Sequence, residues 1–153
     1  GDILDASWAY FAYLASSGFI MYLISKWEDH VKHKEKLVFF GYFLTSLGCL
    51  SYIFVFNQFS LLITQVILGI ATAFLNPAFD ALYSHYILKK EEASDWGSWE
   101  ALGYIVTAIA ALVGGYLATY LSFKFLFVVM FAASLIGAFV SLNLFRDKKY
   151  LNS

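Results

Sequence analysis

Uncharged stretches constrain this chain more than any other feature of its sequence. No Asp, Glu, Lys or Arg occurs within 6–25, 37–79, 101–123 or 125–145, and charged residues close each stretch at both ends. About 20 apolar residues cross a hydrocarbon core of about 30 Å, so three of the stretches are each one transmembrane helix long. The second, 37–79, would make a helix of roughly 65 Å at about 1.5 Å per residue, and it has to fold back. Asn57, Gln58 and Ser60 mark the turn. The pattern predicts five spans near 6–25, 37–56, 60–87, 100–121 and 124–145, in a single transmembrane domain over 1–153. Helices are expected because an open strand leaves backbone groups unpaired in lipid. Composition agrees. With 61% hydrophobic and 14% charged residues, the chain lacks the ionised side chains that an aqueous surface requires. The expected fold class is an all-α, polytopic membrane helix bundle.

Orientation follows from the cations. Lys26, Lys32, Lys34 and Lys36 fall between the first two spans, Lys89 and Lys90 between the third and fourth, and Arg146, Lys148 and Lys149 in the tail. Five spans bring these nine to one side and leave Lys124 alone on the other. Lys and Arg favour the cytosolic side, which places the amino end with Asp2 and Asp5 outside and the carboxyl end inside a cell membrane. The tryptophans agree, with Trp8 at the outer end of the first span and Trp27, Trp96 and Trp99 beside the inner loops. An outside amino end that begins at Gly1 without a signal peptide leads to the expectation of a further helix upstream, and so of a fragment of a larger protein.

Several function classes drop out. The net charge of −1 and the lack of a basic, aromatic-interleaved patch argue against nucleic acid. The single Cys49 permits no intrachain disulfide. No nucleophile with its base, catalytic carboxylate pair or phosphate-binding glycine loop stands out, so neither an enzyme nor a cofactor is expected. His30 and His33 read as solvated loop residues rather than metal ligands, and His85 stands apart from them.

Two spans carry distinctive surfaces. The fourth has Gly103, Thr107, Ala111, Gly115 and Thr119 at four-residue spacing, with Ala110, Gly114 and Ala118 beside them, and such ridges let helices approach closely in lipid. Static packing and a gliding surface for a partner helix are both open to it. Ala133, Gly137 and Ser141 repeat the theme on the fifth. In the third span, Gln65, Thr72, Asn76 and Tyr83 fall on one face, a polar stripe that wants water or a polar partner. It is either interhelical glue or the wall of a wet cavity. Gly69, Ala73, Pro77 and Ala81 form a small ridge next to the stripe, and Pro77 is a candidate kink. Asp80 lies one turn beyond Asn76, and a carboxylate in a span is a functional candidate by default. Glu100 is expected to open the fourth helix at its positive end, with Ser94 or Asp95 as its cap.

The layout resembles the second to sixth helices of a major facilitator superfamily transporter's amino-terminal half. The family's loop G-x-L-x-D-R-x-G-R-K aligns with residues 25–34, where Asp29 and Lys34 match while Ser25, His30 and Lys32 depart from it. Gln65 to Gly69 followed by Ala73, Pro77 and Ala78 is similar to the family's fourth helix, and Gly114 with Gly115 to its fifth. Gln65 stands where drug–proton antiporters carry arginine, and Ala110 and Ala111 where they carry Gly-Pro, which argues against that subfamily. The resemblance implies alternating access about a midplane site, with a first helix and a carboxyl-terminal half completing the transporter. It also implies an inner gate at Asp29 and Lys34. The expected substrate path, for a small solute, runs along Gln65, Thr72 and Asn76, with Asp80 as coupling residue. A small polytopic scaffold that binds partner helices is the alternative.

Overall fold

The computed structural model describes residues 3–85, 87 and 92–146. They form α1 (Ile3–Asp29), α2 (Lys34–Ser51), α3 (Gln58–Ser84), α4 (Glu92–Tyr120) and α5 (Phe123–Ser141), with short 3₁₀ turns at Tyr52–Phe54 and Leu142–Arg146. No strand occurs among the described residues. All five helices are long and apolar enough to cross a membrane.

The turn expected in the long uncharged stretch is built by a capping box. The Asn57 side chain accepts from the Ser60 backbone N–H at 2.7 Å, and the Ser60 hydroxyl accepts from the Asn57 N–H at 3.2 Å. Ser122 caps α5 in the same sense, accepting from the Phe125 N–H at 3.1 Å.

Several expected boundaries move, and two of them bear on the site. The third helix ends at Ser84 rather than near 87. The fourth begins at Glu92, so Glu100 lies two turns inside it instead of opening it, and Glu92 and Asp95 occupy the first turn. Acidic groups there favour the positive helix end. Aromatic contacts hold the extra turns: Trp96 and Trp99 pack on Tyr83, and Trp99 stacks on Phe79 at 5.0 Å. The Tyr83 hydroxyl also donates to the Asp95 carbonyl at 3.0 Å. α3 continues through Pro77 without interruption.

α3 is the hub of the bundle. It packs against α1 on one side and α2 on another, and α2 carries α5. Three glycines set these crossings. A Cβ on Gly69 would meet the Tyr13 carbonyl oxygen at 2.6 Å as well as the Ser16 hydroxyl; one on Gly41 would meet Leu75 Cα at 2.9 Å; one on Gly48 would meet Leu68 Cγ at 2.8 Å. A Cβ on Gly137 of α5 would meet the Tyr42 ring at 3.0 Å. The inner end is filled by Leu37, Val38, Ala78 and Leu82. α4 stands apart, with no buried residue along its length. The ridge of Gly103, Ala111, Gly114 and Gly115 is therefore largely uncovered by the described residues, and among its glycines only a Cβ on Gly114 would have a neighbour, Leu126.

Candidate functional site

The polar stripe of α3 divides at its middle. Gln65 donates from Nε2 to the Tyr52 hydroxyl at 2.9 Å, and the Tyr52 ring stacks on Phe127 of α5 at 4.5 Å. Thr72 shares a 3.0 Å hydrogen bond with the Tyr13 hydroxyl of α1 and donates to the Leu68 carbonyl. These two side chains are partly buried and tie α3 to its neighbours. Asn76 and Asp80, one and two turns further along, are exposed.

Both line a cavity of about 320 Å³ bounded by Tyr42 of α2, Leu75 and Phe79 of α3, and Trp99 and Glu100 of α4. Its construction follows from the elements already described. The Gly137 contact holds the Tyr42 ring from behind, and the Phe79–Trp99 stack brings the start of α4 over α3. The early start of α4 then turns Glu100 into a wall residue. Asp80 and Glu100 are thus two carboxylates of one cavity, and neither has an ion pair with a described residue. Such an arrangement attracts a cation or holds a proton, while Asn76 adds an amide donor and acceptor. The sequence reading had Asn76 and Asp80 but missed Glu100, Tyr42 and Trp99.

The expected inner-gate pair meets at a second, smaller cavity of about 130 Å³, lined by Asp29 and Lys34 together with Ser25, Glu28, Leu37 and the α3 residues Pro77, Ala78 and Ala81. Lys34 donates from Nζ to the Glu28 carbonyl at 2.9 Å, and Asp29 is exposed. His33 pairs through Nδ1 with the buried Glu35 at 2.8 Å. His30 bonds the Lys26 carbonyl at 2.6 Å. No group of three or more metal-ligating side chains occurs among the described residues. Lys89, Lys90, Lys148 and Lys149, four of the nine cations in the orientation argument, lie outside the described residues.

Five helices long and apolar enough to cross a membrane, with an acidic cavity beside the central one, are the architecture of a multi-pass membrane protein. The family model of the Major Facilitator Superfamily matches the chain over residues 1–152, and the chain belongs to that superfamily of membrane transporters. No curated protein and no solved structure matches it.

Proposed function

We propose that this chain forms most of one half of a secondary transporter that moves a small solute by alternating access. The observation that carries the reading is the cavity of about 320 Å³ in which Asn76, Asp80 and Glu100 face one space. The solute path runs along the α3 stripe from Gln65 through Thr72 to Asn76. In the outer part, Tyr52 and Tyr13 fix the first two side chains and keep the wall polar but rigid. At the inner part, Asn76 is free to bond a solute. Asp80, with Glu100 beside it, takes the coupling proton or cation, whose arrival relieves the repulsion between two carboxylates. Asp29 and Lys34 form the inner gate.

The unburied face of α4 supports a larger assembly. Its ridge of Gly103, Ala111, Gly114 and Gly115 offers close backbone approach to a helix of the remaining transporter. The chain lies in the cell membrane with its amino end outside and the nine-cation side in the cytosol. The same ridge favours the scaffold reading, in which α4 only binds partner helices, and solute flux separates the two. Reconstituted full-length protein, tested with a panel of isotope-labelled polar solutes, accumulates at least one of them, and Asp80→Asn removes its pH or sodium dependence. Binding of partner helices with no flux for any solute supports the scaffold instead.

A further inference from the structure

We propose that the small inner cavity between α1, α2 and α3 is a binding site for a guanidinium or primary ammonium group, held by Glu28. Glu28 is only 5% exposed, and neither of its carboxylate oxygens has a hydrogen-bond partner. It is one of the residues that line the cavity of about 130 Å³. Burying an unbonded carboxylate is costly, and a cation with N–H donors relieves that cost, as uptake of a proton does. Lys34 makes no ion pair with the Glu28 carboxylate; its ammonium donates to the Glu28 backbone carbonyl at 2.9 Å.

The lining carries two carboxylates, Glu28 and Asp29, against one ammonium, Lys34, so the site is short of one positive charge. Its remaining walls are apolar, from Leu37, Pro77 and Ala78. A flat, weakly hydrated guanidinium suits both features: its fork bonds two carboxylate oxygens and its faces tolerate an apolar floor. A divalent metal fits poorly, since no group of three or more metal-ligating side chains occurs among the described residues. The cation is either a free solute or a basic side chain from elsewhere in the transporter, and both present the same chemistry. This site is separate from the solute path and makes no use of its residues.

The test is alkylation of a cysteine at Ser25, on the cavity lining, in full-length protein carrying Cys49→Ser. Methylguanidinium is the probe, with sodium chloride at equal ionic strength as control. For a free-cation site, millimolar methylguanidinium slows alkylation at least fivefold where sodium does not, and Glu28→Gln abolishes the protection. For a site already filled by a basic side chain, alkylation is slow without any probe and accelerates at least fivefold in Glu28→Gln. Glu28→Asp, which keeps the charge but shortens its reach, gives an intermediate rate and stands in should Glu28→Gln fail to fold. Rates unaffected by methylguanidinium and equal across the Glu28 variants overturn the proposal.

Discussion

At the residue scale, the account turns on carboxylates and on glycine. Asp80→Asn and Glu100→Gln each leave one carboxylate in the main cavity, and either substitution is expected to lower coupled uptake at least tenfold and flatten its pH or sodium profile. Counterflow, which needs no driving ion, is expected to survive in at least one of them, and the comparison of uptake with counterflow in proteoliposomes checks this. At Gly69 a side chain has no room beside the Tyr13 carbonyl and the Ser16 hydroxyl. Gly69→Val therefore costs about 1–3 kcal/mol by overpacking, read as a lower melting temperature in detergent. Gly103→Val, where nothing lies within 4 Å, is expected to melt like the parent if α4 stays uncovered and to lose stability if a partner helix seats there. The acidic groups were legible unequally. Asp80 stood out because it interrupts an apolar run. Glu28 did not, since it sits in a string of charged residues where burial leaves no local trace. Its one signal is spacing: the buried Ser17 and Glu28 stand about three helical turns apart on one face of α1.

At the scale of elements, charge-free gaps located the helices, but charges did not end them. α1 runs on to Asp29 and α4 starts at Glu92, because a helix extends past the hydrocarbon once its flanking residues find tertiary contacts. For α4 those contacts are Trp96 and Trp99 on Tyr83 and Phe79, invisible in a linear reading. The error mattered, since taking Glu100 as a helix opener hid its place in the cavity wall. Packing ridges were half legible: small residues announce that a helix can be approached, not which helix does so. The crossings made within the chain fall at Gly41, Gly48 and Gly69, whereas the conspicuous α4 ridge is left open. The α1–α3 crossing also rests on the Tyr13–Thr72 hydrogen bond at 3.0 Å. A double-mutant cycle of Tyr13→Phe and Thr72→Val is expected to give a coupling of about 0.6 kcal/mol, within the range of up to about 1.7 known for such bonds between membrane helices. A coupling near zero means that the pair is incidental and Thr72 is free to serve a solute directly.

At the scale of the whole molecule, the number of spans was readable, because the lengths of apolar runs follow from the bilayer itself. The lateral order of the helices was not: that α3 lies between α1 and α2 while α4 stays at the edge depends on shape complementarity between non-adjacent segments. The central claim is that α3 lines a path opened alternately to the two sides of the membrane, and Asn76 is the side chain best placed to report it. In full-length protein with Cys49→Ser, a cysteine at Asn76 is labelled by a membrane-impermeant thiol reagent applied separately to each face. Labelling from both faces is predicted, with Asp29→Asn raising the cytosolic rate and lowering the outer rate together as the inner gate opens. Labelling from the cytosolic face alone, at a rate indifferent to Asp29, would contradict the account and leave Asn76 in a static inner cleft.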